Sequence, residues 1–199
     1  MPRTSRKRDL LDAGLEIVLR QGAAQTSVDR LCSEAGVTKG AFFHHFRDKE
    51  AFIAELIQHF SDRGAQALAQ AHLDAAVDAQ ARLRAYLALM EQLYEHDPQF
   101  RAGCLFIILA HEHEDQDSPI RQLCARGLER WLASATQQFA EIARLCPRPP
   151  AVPPEAMAEQ LLFTIEGALV VGRTRAQSGG VSRSVRAFDA WARLALGLA

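Results

Sequence analysis

The chain has 199 residues, of which 48% are hydrophobic, so it is long enough and apolar enough to bury a packed core. Its formal net charge of −1 excludes a protein that is positively charged all over and binds nucleic acid indiscriminately. Any contact with DNA must therefore use a local basic surface, and the start of the chain offers one in Arg3, Arg6, Lys7 and Arg8.

Hydrophobic spacing and capping residues predict the first two helices. Leu10 and Val18 lie on one helical face, and Gly22 suits the position just after that helix. Either Thr26 or Ser27 can cap a second helix, because a side-chain hydroxyl accepts a hydrogen bond from a free backbone N–H of the first turn.

A third and a fourth helix are predicted directly after the second. Gly36 breaks the second helix, Thr38 can cap a short third helix, and Asp48 can cap a fourth. Two short helices joined by a tight turn form a helix-turn-helix, whose second helix enters the major groove of DNA. The segment 26–49, TSVDRLCSEAGVTKGAFFHHFRDK, is therefore predicted to bind DNA.

The residue types of this segment suit contacts with DNA. The Lys39 ammonium suits phosphates or base edges, and the Phe43 ring can lie against a thymine methyl group. Gly40 lets the third helix approach the DNA backbone closely. Lys49 begins a helix whose free N–H groups also favour phosphate. The predicted DNA-binding residues are Thr26, Ser27, Thr38, Lys39, Gly40, Phe43, His44 and Lys49.

The rest of the chain is predicted to form about five further helices. Ser118 followed by Pro119 begins a long helix, because proline fits the first helical turn. Five prolines make residues 146–154 a loop, and a pair of glycines separates the last two helices. We expect a domain boundary near Gly64, which divides the chain into residues 1–63 and residues 64–199.

The segment 35–50, AGVTKGAFFHHFRDKE, closely resembles the signature of the TetR family of bacterial transcription regulators. The resemblance covers about residues 6–60, and two positions depart from it: Ala23 stands where an aromatic residue is usual, and Phe43 where a tyrosine is common. It implies an all-α fold, with an N-terminal three-helix helix-turn-helix domain and a larger C-terminal domain for ligand binding and dimerisation. It also implies a homodimeric repressor that leaves a palindromic operator when it binds a small-molecule effector.

The last two predicted helices, about residues 155–177 and 182–198, carry more apolar surface than one bundle face needs. Two such helices from each subunit can form a four-helix interface with closed two-fold symmetry. Leu169 is a predicted residue of this interface, and the small Gly167 would let the partner helix approach closely. The alternative is that this apolar surface covers only the core of its own chain.

The predicted effector-binding residues are Cys104, Phe106, Trp131, Phe163 and Glu166. Aromatic rings can line an apolar ligand pocket, although rings at helical spacing are also ordinary core residues. The sequence around Cys104 weakly resembles a TetR subgroup that responds to electrophiles, aldehydes or acrylates. A sensing thiol needs thiolate character, and otherwise a cysteine is a small buried hydrophobic residue.

Other classes of function are less favoured. The run 111–115, HEHED, lacks the H-E-x-x-H spacing that places two imidazoles on one helical face, although His111 with Asp115 stays a weaker alternative. No metal, no cofactor and no enzymatic activity are expected, because neither a nucleophile motif nor a nucleotide-binding glycine pattern is present. An architectural DNA-binding protein is the remaining alternative, but it would not need the large apolar second domain.

Cysteine usage and hydropathy predict the compartment. The four cysteines are far apart and form no C-x-x-C pair, which indicates reduced thiols in the cytoplasm. No uninterrupted run of about 18 apolar residues is available to span a membrane. We therefore expect a cytoplasmic protein that has no membrane partner.

Overall fold

The computed structural model describes residues 3–113 and 117–198, and within these ranges the chain is helical and contains no β-strand. A short 3₁₀ turn precedes α5, and a π-helical turn continues it. The all-α fold class predicted from periodicity is confirmed. The helices are α1 (Arg3–Gln21), α2 (Val28–Glu34), α3 (Lys39–His45), α4 (Lys49–Gln70), α5 (Ala79–Glu91), α6 (Leu105–Glu112), α7 (Pro119–Arg144), α8 (Pro154–Arg175) and α9 (Gly180–Leu196).

The two short helices α2 and α3 begin at predicted capping residues. The Ser27 side chain accepts a hydrogen bond from the backbone N–H of Arg30 (3.2 Å). The Thr38 side chain accepts one from the backbone N–H of Ala41, also at 3.2 Å. Each hydroxyl satisfies an amide that has no partner inside its helix, so the local sequence itself fixes where these helices start.

The described residues pack into two compact units. The first unit contains the described residues up to Gly64 and those between Cys104 and Leu128, and the second contains Ala65–Gly103 and the described residues from Glu129 onward. The described residues of 104–128 pack with the N-terminal helices, whereas the predicted boundary near Gly64 puts this range in the C-terminal domain.

Aromatic rings form the core of the first unit. The ring centroid of Phe42 lies 5.3 Å from that of Phe46 and 5.6 Å from that of Phe52. The centroids of Phe46 and Phe52 are 5.0 Å apart, and none of the three side chains is more than 1% exposed. Ring pairs at these separations add about 0.5–1.5 kcal/mol each to the gain from burial. This cluster therefore fixes how α3 packs on α4.

Phe139 of α7 lies at the centre of the second unit and is fully buried. Its ring centroid lies 5.6 Å from that of Tyr86 on α5 and 6.0 Å from that of Phe188 on α9. These contacts bring α5, α7 and α9 together around one aromatic core, and α8 packs along α9.

The last helix, α9, begins at Gly180, two residues before the start predicted from the sequence. The Glu95 side chain accepts hydrogen bonds from the backbone N–H groups of Gly179 (2.6 Å) and Ser182 (3.1 Å). A carboxylate from another helix thus caps α9, as the positive end of a helix dipole favours.

Every helix in the two described ranges is too short or too polar to span a lipid bilayer.

Candidate nucleic-acid interface

The helices α2 and α3 form a helix-turn-helix around buried side chains. Leu31 and Cys32 of α2 and Phe42 of α3 are buried. The backbone N–H of Val37 donates to the carbonyl of Cys32 (2.9 Å) and closes the turn between the helices. Burial raises the pKa of the Cys32 thiol, and the nearby Asp29 carboxylate raises it further. Cys32 is therefore a protonated core residue. Because Phe42 is buried, the other side of α3 faces outward.

The outer face of α3 brings together five of the predicted DNA-binding residues. The Phe43 side chain is 53% exposed, and its ring meets the buried Phe42 ring edge-on at 5.3 Å. Phe42 thus holds α3 to the core, and Phe43 is presented to solvent. The exposed residues that share this face are Thr38, Lys39, Gly40, Phe43 and His44.

Gly40 is not required by packing inside the chain. A Cβ atom added at residue 40 would have the Thr38 hydroxyl oxygen, 3.8 Å away, as its nearest neighbour. That separation is an ordinary van der Waals contact. The open space above Gly40 fits the hypothesis that a surface outside the chain, such as a DNA backbone, approaches here.

Lys39 already has an anionic partner within the helix-turn-helix. Its Nζ lies 2.6 Å from Oδ1 of Asp29, and its side chain is 59% exposed. The hydrogen bond to Asp29 and the charge of that carboxylate raise the pKa of Lys39 above its usual value. The ammonium is therefore charged, and a DNA phosphate would have to displace Asp29 to bind it.

The start of α4 differs from the prediction for Lys49. Oδ1 of Asp48 accepts a hydrogen bond from the backbone N–H of Ala51 (2.8 Å). That bond and the Arg47 side chain lower the pKa of Asp48. Asp48 thus caps the first turn of α4, as predicted, and the Ala51 amide is for that reason not open to phosphate. Lys49 remains at this end as a half-buried cation.

Arg47 was missed by the sequence reasoning. Its side chain is 86% exposed, and its Nε lies 2.7 Å from Oδ2 of Asp48. Its position in the turn between α3 and α4 was the signal that could have identified it, because a cation there lies next to the predicted recognition helix.

Thr26 does not present its hydroxyl to solvent, which corrects its assignment as a DNA-contacting residue. The residue is 1% exposed. Its Oγ1–H donates to the carbonyl of Gly22 (2.7 Å), and the Gln21 amide donates to the same Oγ1 (3.2 Å). Thr26 therefore holds the turn that leads into α2, whereas its neighbour Ser27 is exposed at the cap of that helix.

The basic cluster at the start of the chain is partly tied to the protein. Lys7 forms an ion pair with Glu55, and its ammonium lies 5.6 Å from the centroid of the Phe46 ring. Arg6 and Arg8 are exposed. The side chain of Arg3 lies outside the described residues. Lys7 is therefore held against the protein, and Arg8 lies 3.8 Å from the Asp12 carboxylate but stays exposed. Arg6 and Arg8 are the exposed basic residues described in this part of the chain.

Two predicted effector-binding residues, Cys104 and Phe106, belong to the first unit. Cys104 is buried at the N-cap position of α6. The Phe106 ring centroid lies 5.2 Å from that of Phe60, and the same ring packs so closely on Gly127 that a side chain there would collide with it. Phe106 thus has the surroundings of a core residue.

The other three candidates belong to the second unit. The Trp131 indole N–H donates to the Tyr94 hydroxyl (3.1 Å). Phe163 is 63% exposed on the outer face of α8, so it does not line an enclosed pocket as expected. Burial raises the pKa of Glu166 to about 7, although the charge of Arg173 opposes the rise. The five candidates are thus divided between two units.

Two described residues of the run HEHED make other contacts. Glu112 accepts hydrogen bonds from backbone amides, and a ring nitrogen of His113 lies 3.3 Å from the Ser118 hydroxyl. Glu114 and Asp115 lie outside the described residues. Among the residues that the structure describes, no three His, Cys, Asp or Glu side chains are grouped as ligands for a metal ion.

The helix-turn-helix with its exposed α3 defines a DNA-binding regulator of transcription. Two family models match the chain: "Bacterial regulatory proteins, tetR family" over residues 10–56, and "Tetracyclin repressor-like, C-terminal domain" over residues 79–188. The chain therefore belongs to the TetR family, as its sequence had indicated, and it is a transcription regulator and not an enzyme.

Individual relatives agree with this assignment. The transcriptional regulator AcuR of Cereibacter sphaeroides is 34% identical over 165 residues, which cover 82% of this chain and 74% of that protein. The transcriptional repressor DhaR of a Mycobacterium species is 25% identical over 170 residues, which cover 85% and 83%.

Solved structures show the same fold. A regulatory protein TetR from Rhodobacter sphaeroides superposes with a TM-score of 0.78 and 30% identity, over 92% of this chain and 96% of that one. Reduced Escherichia coli NemR gives a TM-score of 0.75 with 22% identity, over 92% and 95%.

Proposed function

We propose that this protein is a repressor that binds a palindromic DNA operator as a homodimer and leaves it when a small-molecule effector binds. The observation that carries the proposal is the outer face of α3, where a hydroxyl, a cation and an exposed aromatic ring surround the uncrowded Gly40. Such a face supplies phosphate contacts and an apolar contact for thymine methyl groups. The name of the relative DhaR, a transcriptional repressor, supports the sign of the regulation.

The homodimer is supported by an apolar face of α8 and α9 that nothing in the described chain covers. Phe163, Val170 and Val171 on α8 are 63%, 61% and 52% exposed, and Leu194 on α9 is 69% exposed. Large exposed apolar patches mark protein interfaces. We therefore assign the interface to these four side chains, whereas Leu169, the residue predicted from the sequence, is half-buried.

Only part of the predicted interface helix α8 is available to a partner. Leu161, Leu162 and Ile165 of α8 are buried inside the second unit and do not belong to the exposed face. A groove of about 720 Å³ runs between α8 and α9 beside the exposed face. Its lining includes Ala168 and Gly172, which are small enough to let a partner helix approach closely.

A palindromic operator follows from a two-fold dimer. Two recognition helices related by two-fold symmetry meet successive major grooves on one face of the duplex when they are about 34–36 Å apart. Each α3 then reads one half-site, and the two half-sites are inverted copies.

The operator can be found by selection from a random duplex pool with the purified protein. We expect an enriched inverted repeat whose half-site centres are about 10 base pairs apart. We call this sequence the selected duplex. When it overlaps the promoter of a reporter gene, the protein should repress that gene. Enrichment of single, unpaired sites would contradict the proposal, and so would a reporter that the protein activates.

The effector class is tested at Cys104. If this thiol senses electrophiles, N-ethylmaleimide releases the selected duplex from the wild type and Cys104→Ser abolishes the release. Cys146→Ser is the matched control, because Cys146 is a half-buried thiol in the second unit. Equal release from the Cys104→Ser variant would show that Cys104 is a structural core residue of the first unit and not the sensor.

A further inference from the structure

Glu112, the last residue of α6, binds the turn between α1 and α2. Its Oε2 accepts a hydrogen bond from the backbone N–H of Ala23 (2.8 Å) and another from that of Ala24 (3.2 Å). All three residues belong to the first unit. One carboxylate oxygen thus satisfies two amides that follow the end of α1, and charge-assisted bonds of this kind are stronger than neutral ones.

The turn is shaped to receive this carboxylate. Gly22 has a φ of +84°, a conformation that favours glycine, and a Cβ atom there would collide with Oε1 of Glu112. The carbonyl of Gly22 accepts the hydrogen bond from Thr26, which directly precedes the Ser27 cap of α2. A continuous series of contacts therefore links Glu112 to the first residue of the helix-turn-helix.

The end of α6 that carries Glu112 is itself held in place. Nη1 of Arg121 on α7 donates to the carbonyl of Ala110 (3.0 Å) and to that of His113 (3.2 Å). These bonds satisfy carbonyls at the C-terminus of α6 that have no partner inside the helix. Glu112 thus extends from a fixed support to the turn.

We propose that Glu112 is a positioning residue for DNA binding, whose carboxylate holds the α1–α2 turn and thereby the orientation of α2 and α3. The inference rests on the proposed function. Without the carboxylate, the turn samples more conformations. The affinity for DNA then falls in proportion to the population of the conformation that can bind. Glu112 is not a phosphate contact, because its own charge repels DNA.

Because Glu112 is acidic, a positioning role and a purely electrostatic role predict opposite changes in DNA affinity when its side chain is removed. Removal of an acidic group near DNA strengthens binding through charge alone, whereas loss of the positioned turn weakens it. Glu16 is the matched control, since it is an exposed acid on α1 of the same unit. The Glu112→Gln variant loses the charge but keeps an acceptor oxygen, and Glu112→Asp keeps the charge but shortens the side chain by one methylene group.

The test measures the affinity of each full-length variant for the selected duplex at several salt concentrations. We expect Glu112→Ala and Glu112→Asp to bind roughly 5- to 30-fold more weakly, with an unchanged salt slope because no phosphate contact is lost. Glu112→Gln should stay within about threefold of the wild type, and Glu16→Ala should bind as the wild type does or slightly more tightly. Hydrogen exchange at Ala23 and Ala24 should be faster in the weakened variants.

Two results would overturn the role of Glu112. One is an unchanged or tighter affinity of Glu112→Asp while the amides of Ala23 and Ala24 exchange faster, which would make the contact purely a local stabilising one. The other is a salt slope that changes by about one, which would make Glu112 part of the ionic contact with DNA. If the wild type selects no duplex, the proposed function itself fails, and the role of Glu112 falls with it.

Discussion

The outer faces of α3 and α8 both expose a phenylalanine, but the neighbours of the two rings differ. Phe43 on α3 is 53% exposed and shares its face with Lys39 and His44. Phe163 on α8 is 63% exposed and shares its face with Val170, another apolar residue. A ring beside a lysine and an imidazole suits a phosphate polymer, whereas a ring among aliphatic groups suits a second protein surface. The chemistry around an exposed ring, more than its exposure, therefore indicates its partner.

The largest expected effect comes from a charge placed on the face of α8. Val170→Glu should give monomers and weaken binding to the selected duplex by at least about 100-fold, because one chain can occupy only one half-site. Sedimentation velocity measures the assembly and fluorescence anisotropy the affinity. Gln137→Glu, which adds the same charge at an exposed position of α7, should change neither. A dimeric Val170→Glu variant would remove α8 from the interface.

Removal of the two lysines near α3 should have the next largest effect. The double variant Lys39→Ala and Lys49→Ala should bind the selected duplex about 10- to 100-fold more weakly and reduce the salt slope by about two, because two phosphate contacts are lost. Arg84→Ala, at an exposed cation of α5, is the control and should leave the slope unchanged. An unaltered slope in the double variant would place the phosphate contacts elsewhere.

Adjacent phenylalanines sharpen the distinction between the two sides of α3. Phe42→Ala should lower the free energy of unfolding by about 3–5 kcal/mol, because a fully buried ring leaves a cavity. Phe43→Ala should leave stability within about 0.5 kcal/mol and weaken DNA binding roughly three- to tenfold. Chemical denaturation and anisotropy on the same two proteins test this pair. A large stability loss in Phe43→Ala would show that its ring is a core residue.

The smallest effect concerns pH and Glu166. Its pKa of about 7 lies above that of an exposed glutamate, so the folded state keeps a proton that the unfolded state has lost. Stability should therefore fall as pH rises from about 4.5 to 7, by on the order of 1–3 kcal/mol, and then stay constant. Glu166→Gln should remove this fall, whereas Glu159→Gln, at an exposed position of α8, should retain it. An identical pH profile in Glu166→Gln would exclude this carboxyl as its source.

Local features of the fold could be predicted from sequence. The caps Ser27 and Thr38 each bond an amide three residues ahead, so a short segment contains all the information needed. Phe42 and Phe43 could be assigned to different faces of α3 once the helix was recognised, because neighbouring residues on a helix point in different directions.

Long-range features could not be predicted. Glu112 lies 89 residues from Ala23, whose N–H it accepts, and no periodicity relates the two positions. The same limit explains why Phe163 and Phe106 were both predicted as pocket residues. An apolar residue on a helix does not reveal whether it packs in the core of its own chain or against another surface. Residues 104–128 were placed with the C-terminal helices for the same reason.

The helical phase of the selected duplex tests most directly whether two copies of α3 read DNA as a two-fold pair. The affinity of the wild type is measured for the selected duplex and for versions with five or ten base pairs inserted between the half-sites. We expect the five-pair insertion to cost at least about 30-fold, because it turns one half-site to the opposite face of the helix. Equal affinity for the original duplex, for the five-pair insertion and for a single half-site would contradict the two-fold arrangement.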